Sequence, residues 1–169
     1  YKDIPAKATL LYSVEIPNQG GDTLFCNLTA AYAALPGSIK ARLDGLTAIH
    51  DYTHSKRDIL VEGKVAAPDP GTHPVVRTHA ETGRKAIYIN PAYTTRINEL
   101  NEAESDALMA EIFDHCLQDQ FRMIYQWQPG DIVAWDNAAI MHSATTKNLD
   151  PAKHRTLWRT IISGDGPVR

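Results

Sequence analysis

The chain predicts a mainly β protein, a double-sheet β-barrel or jelly roll with helices on the outside. Three observations carry this. Segments of strand character outnumber helical ones. Turn clusters recur at short intervals, as at Pro17-Asn18-Gln19-Gly20-Gly21, Ala80-Glu81-Thr82-Gly83 and Pro129-Gly130. The 169 residues, 43% of them hydrophobic, fit one domain with a sizeable core. Barrels of this kind often carry metal sites in their mouths, where side chains alternate inward.

From the N-terminus, Lys7 to Ile16 (KATLLYSVEI) is apolar and β-branched without helical period, so it reads as a buried strand. After the first turn cluster, Asp22 to Cys26 reads as a second strand. Asn27 to Leu35 is Ala-rich and opens on an N-cap residue, which predicts a short helix. Pro36 can start another helix, stopped by Gly45. Leu46 to Tyr52 is a strand candidate. Between Thr53 and Thr72 the pattern dissolves, so 53–72 reads as a loop or lid. His73 to Thr78 and Lys85 to Asn90 form a predicted hairpin around Gly83. Glu102 to Gln118 has apolar residues at helical spacing and acids in its first turn, which makes it the strongest helix. Phe121 to Trp127, Asp131 to Trp135, Ala139 to His142 and Arg155 to Ile162 read as four further strands.

The formal net charge of −3 gives no basic field that would favour nucleic acid or an anionic membrane. No apolar run reaches the ~18 residues of a transmembrane helix. The opening Tyr1-Lys2-Asp3-Ile4-Pro5 does not have the pattern of a signal peptide. Two cysteines, Cys26 and Cys116, are too few for a disulfide framework or a structural zinc site, and reduced thiols point to the cytoplasm.

The residues that could do chemistry lie mostly near the C-terminus. His142 closes a short apolar strand, Arg155 follows 13 positions later, and Arg159 follows 4 after that. A histidine in this place is either a satisfied half-buried side chain or a metal ligand. On a strand, a spacing of 4 puts Arg155 and Arg159 on one face. Two arginines facing into a barrel are costly unless an anion meets them, and a guanidinium suits carboxylates and sulfonates. The other reading is a solvated strand face. Gly20-Gly21-Asp22-Thr23 is by itself only a tight turn, and Thr23 gains interest as a hydroxyl donor to the carboxylate that Arg155 would hold. His79-Ala80-Glu81 is the one His-x-acid triplet in the chain, but it sits at a hairpin tip and reads as structural. His50 and His154 read as surface or supporting residues. Tyr93-Thr94-Thr95-Arg96 reads either as the entry to the long helix or as an aromatic pocket wall.

Together these segments resemble the taurine dioxygenase and 2,4-dichlorophenoxyacetate dioxygenase family of Fe(II)/2-oxoglutarate-dependent enzymes. The resemblance runs through KATLLYSVEIPNQGGDTLFCN, AAYAALP, HPVVRTHAETGRKAIYIN, AYTTRI, QWQPGDIVAWDN, MHSA and HRTLWRTIISGD, in that order. It implies a double-stranded β-helix of the cupin-like kind. It also implies His142 as the distal iron ligand, with Arg155 and Thr23 holding the far carboxylate of 2-oxoglutarate. Arg159 would meet an anionic substrate and orient it for reaction, Tyr93 would line the pocket, and Trp135 would lie close to the metal. The expected activity is hydroxylation of a small anionic organic substrate by O₂, with release of succinate and CO₂. The substrate would be a sulfonate, a sulfate ester, or an aryloxy or carboxylic acid. Family members often assemble into dimers or tetramers. The family's His-x-Asp pair, which completes a two-His-one-carboxylate triad, would fall about three residues ahead of Tyr1, so the chain is expected to be the C-terminal part of a longer protein.

Two other readings remain. One is a non-catalytic anion-binding jelly-roll module, or a degenerate enzyme without the proximal ligands. The other is a different metal-dependent jelly roll in which His79 and Glu81 converge with His142.

Overall fold

The structure is a computed structural model, and it describes residues 2–55, 68–147 and 149–168. The first strand, β1 (Ala8–Glu15), leads through a turn with Gly20 and Gly21 at φ 79° and 77° into β2 (Thr23–Asn27). Asn27 then caps α1 (Leu28–Ala34), its side chain accepting the Ala30 N–H at 2.9 Å. Pro36 precedes α2 (Gly37–Leu43), which ends before Gly45 at φ 75°. Four short strands follow: β3 (Thr47–His50), β4 (Gly71–Pro74), β5 (Val76–Thr78) and β6 (Lys85–Ile87). Next come β7 (Thr94–Ile97) and the long helix α3 (Glu102–Cys116). The last four strands are β8 (Arg122–Tyr125), β9 (Ile132–Asp136), β10 (Ile140–Ala144) and β11 (Thr156–Ile162).

The described strands form antiparallel sheets ordered β11-β1-β9, β10-β2-β8 and β4-β3-β7, with a β5-β6 hairpin. The architecture is mainly β with a few helices, and the described strands do not close into a barrel. In the first sheet, Thr9 pairs with Trp135 and Leu11 with both Val133 and Arg159. In the second, Phe25 pairs with His142 and Thr23 with Ala144. The two sheets meet where Trp135 packs edge-on against Phe25, ring centroids 5.2 Å apart. The main core lies elsewhere, where α1 and α3 cover β6 and β7, with Ile87, Ile97, Leu108 and Ile112 fully buried.

Several expectations change. The Lys7–Ile16 strand forms, but only Thr9 and Ser13 of β1 are buried, while Tyr12 and Val14 are 39% and 41% exposed. The face that turns inward is the one carrying Thr9 and Ser13, so apolar content alone picks the wrong side of this strand. The expected strand over His73 to Thr78 splits at Val75: β4 joins β3, and β5 turns away to pair with β6. Tyr93 to Arg96 does not enter a helix, because Thr94 to Ile97 pair with β3. The helix starts later, at a capping box in which Asn101 accepts the Glu104 N–H and Glu104 accepts the Asn101 N–H. Of the expected 53–72 loop, Thr53–Ser55 form a 3-10 turn and Gly71-Thr72 belong to β4, while 56–67 lie outside the described residues.

Candidate functional site

Alternation along β2 puts Thr23 and Phe25 on one face, and the pairing with β10 puts His142 on that same face. His142 lies under Trp135, ring centroids 4.5 Å apart, with Phe25 at 6.3 Å. His142 is exposed, while Phe25 and Trp135 are buried. The indole Nε1 of Trp135 is buried and finds no hydrogen-bond partner among the described residues. A buried N–H left unpaired costs roughly 1–3 kcal/mol, so this donor beside His142 suits a site built to meet an acceptor.

One same-face step away, Thr23 is 2% exposed. Its Oγ1 accepts from Trp127 Nε1 at 2.9 Å and from Arg155 Nη2 at 3.3 Å. Arg155 Nε donates to the Gly21 carbonyl at 2.6 Å. Burial lowers the Arg155 pKa, and Asp22 partly opposes the effect. The glycine is required here, since a Cβ on Gly21 would stand 2.9 Å from Arg155 Cδ on a backbone at φ +77°. The result is a cluster of donors: the remaining Arg155 N–H groups and the Thr23 hydroxyl proton. A carboxylate, which only accepts, is the natural partner of such a cluster.

The step from Thr23 to the level of His142 spans two residues of one strand, about 7 Å. A five-carbon dicarboxylate measures roughly 5 Å between its end carbons, taking ordinary ~1.5 Å C–C bonds. The described residues therefore fit the far carboxylate of a dicarboxylate whose other end reaches toward His142. For a metal they offer His142 as one ligand on this face, and a closed site needs ligands beyond them.

Not every expected residue joins this cluster. Arg155 precedes β11 instead of lying in it, so it does not simply share a strand face with Arg159. Arg159 does lie on the face of Trp135, across β1 from Val133, but it is solvent-exposed. Tyr93 sits just ahead of β7 on the third sheet, stacked on Tyr52 with centroids 6.2 Å apart and planes 11° from parallel. His79 is structural, as expected of the hairpin triplet: its Nε2 lies 2.5 Å from Asp136 Oδ2, and its Nδ1 accepts the Thr82 N–H. Engaged in this way, it does not converge with His142 on a metal, and the described residues hold no group of three or more metal-ligating side chains.

His154 is exposed as expected, but His50 is not a surface residue. It is 3% exposed, packs against His73 and Tyr88, and burial pulls its pKa down to about 3. Sequence reasoning missed Phe25, the role of Trp127, and the need for glycine at position 21. Period-2 alternation puts Trp127 on the side of Tyr125, but only the register Thr23↔Tyr125 brings it to Thr23.

The chain matches the family described as Taurine catabolism dioxygenase TauD, TfdA family, over residues 1–161. It is 36% identical over 168 residues to an alpha-ketoglutarate-dependent 2,4-dichlorophenoxyacetate dioxygenase from Cupriavidus pinatubonensis, covering 96% of this chain and 57% of that protein. A solved taurine dioxygenase from Burkholderia xenovorans superposes with a TM-score of 0.86 at 33% identity, covering 98% of this chain and 55% of the other. The structure of AAD-2 in complex with Mn(II) and N-oxalylglycine gives a TM-score of 0.87 at 28% identity, covering 99% and 67%. The chain thus spans about half the length of the curated relatives it matches. With a matched profile over nearly all of its residues and a relative above 30% identity, the chain belongs to the TauD/TfdA dioxygenase family.

Proposed function

We propose that this chain forms the cosubstrate grip and one metal ligand of an Fe(II)- and 2-oxoglutarate-dependent dioxygenase. Its substrate would be a small anionic organic molecule, such as a sulfonate, a sulfate ester, or an aryloxy or carboxylic acid. The single observation that carries the reading is the pair Arg155–Thr23, in which the arginine donates to the Thr23 hydroxyl and both keep protons to offer, one strand step from His142 on the same sheet face. Bound Fe(II) would supply dioxygen chemistry, coupling decarboxylation of 2-oxoglutarate to succinate and CO₂ with hydroxylation of the substrate.

The residues of this chain do the positioning. Arg155 and Thr23 grip the far carboxylate and fix how deep the cosubstrate sits. His142 would hold the metal, with Trp135 and Phe25 packed beside its ring. Arg159, exposed on the Trp135 face, would meet the anionic group of the substrate and orient it for reaction. Tyr93, backed by Tyr52, adds an aromatic wall. The two facing sheets belong to a double-stranded β-helix, with the chain acting as one domain. The buried free thiols Cys26 and Cys116 suit a cytoplasmic protein, and homo-oligomers are the expected assembly.

The deciding experiment adds Fe(II) and 2-oxoglutarate anaerobically to the protein at its full natural length and records the visible metal-to-ligand charge-transfer band. A band establishes the chelated cosubstrate. With no band, a non-catalytic anion-binding module takes its place. Arg155→Ala should weaken 2-oxoglutarate about 10- to 100-fold, the scale of lost charged hydrogen bonds. Arg159→Ala should instead raise the KM of the primary substrate. Equal effects of both changes on cosubstrate affinity would end this division of roles.

A further inference from the structure

We propose that Trp127 is a positioning residue that forces the Thr23 hydroxyl to donate its proton to the bound carboxylate. The inference rests on the reading above, in which Arg155 and Thr23 hold a dicarboxylate. A threonine hydroxyl has one proton to give and two lone pairs to fill. Trp127 Nε1–H, which can only donate, lies 2.9 Å from Thr23 Oγ1. Arg155 Nη2, likewise only a donor, lies 3.3 Å from the same oxygen. Both lone pairs are then occupied, and the proton is what remains to be shared. Without the indole, the hydroxyl could rotate, accept from a water or another donor, and turn its proton away from the site.

The surroundings hold Trp127 for this task. It is 6% exposed, and Tyr125 packs edge-on against it with centroids 5.1 Å apart. Tyr125 is held in turn by its hydroxyl, which donates to Asp131 Oδ2 at 3.0 Å. The other face of the same grip is set by Gly21, whose carbonyl takes Arg155 Nε at 2.6 Å. Arg155 and Thr23 are thereby turned into a surface that offers hydrogens alone, which discriminates for an acceptor-only group.

The test compares two ligands on the metal-loaded protein at its full natural length, with Mn(II) in place of Fe(II), by calorimetric titration and displacement. One ligand is 2-oxoglutarate. The other is 2-oxovalerate, which keeps the keto acid but ends in a methyl group where 2-oxoglutarate carries its far carboxylate. Trp127→Phe should weaken 2-oxoglutarate about five- to tenfold, the scale of one hydrogen bond, and leave 2-oxovalerate unchanged. In a Thr23→Val background, the same change should cost 2-oxoglutarate nothing further. Thr23→Val is close in volume and approaches the same bond from the other side, so the proposal does not depend on one variant folding well.

Equal weakening of both ligands would show that Trp127 only supports the fold and would overturn the proposal. So would an undiminished effect of Trp127→Phe in the Thr23→Val background. If the unmodified protein binds 2-oxovalerate as tightly as 2-oxoglutarate, the carboxylate grip itself is wrong, and the proposed function fails with it. That result is distinct from a failure of Trp127 alone.

Discussion

Gly21 and His50 show how single residues divide the work of this chain. Gly21 leaves room for the Arg155 side chain and supplies the carbonyl that holds it. Gly21→Ala should cost about 1–2 kcal/mol in backbone strain alone, and the displaced guanidinium should weaken 2-oxoglutarate further. Urea unfolding and cosubstrate titration should both register the change, and a normal cosubstrate affinity would show that Arg155 can shift without loss. His50 works in the opposite direction, as a buried imidazole kept neutral. Its folded pKa is about 3 against an ordinary 6.5, and burial lowers that of the neighbouring His73 as well. The unfolded chain therefore takes up protons that the folded chain refuses. Stability should be flat above pH 6.5 and fall as pH drops from there toward 3, by about 1–2 kcal/mol between pH 6.5 and 5. Urea midpoints across that range give the slope, and His50→Phe should flatten it. None of this was legible in the sequence: His50 sits in a strand too short for its alternation to reveal which face is buried.

Elements with local signals were easy to read. The capping residue Asn27 and the first-turn acids Glu102 and Glu104 mark two helix starts, and Gly83 and Gly130, at φ 67° and 90°, mark two turns. What stayed hidden depended on pairing between distant segments. The strand β7 has only four residues, too few for alternation to show, and it becomes a strand because β3 pairs with it. The same holds for the grip. Thr23 and Arg155 stood together in the sequence only through the family resemblance, since 131 residues separate them and the register that joins them leaves no local trace. The long helix gives a clean test of local stabilisation. Asn101→Ala removes the capping box and should cost about 1 kcal/mol in thermal or urea unfolding. It should leave cosubstrate affinity untouched, because α3 packs on β7 and α1, away from the His142 face. A change in that affinity would mean the core and the site are coupled.

At the scale of the whole molecule, the core and the site are separate. The helices bury one side of the protein, while the outer face of the β11-β1-β9 sheet carries a row of Trp158, Tyr12 and Ile132 across three strands. Ile132 and Trp158 are 70% and 66% exposed. A patch of this kind favours association, so Ile132→Lys should raise solubility and reduce any concentration-dependent sedimentation, with the fold unchanged by circular dichroism. The three tryptophans also give the protein its own optical probes. Trp127 reports from the carboxylate end of the site, Trp135 from beside His142, and Trp158 only from solvent. Emission from the two buried indoles should respond to ligand and resist iodide quenching, while Trp158 should do the reverse. In a Trp158→Phe variant, a change in fluorescence would therefore follow cosubstrate arrival in real time without any added dye.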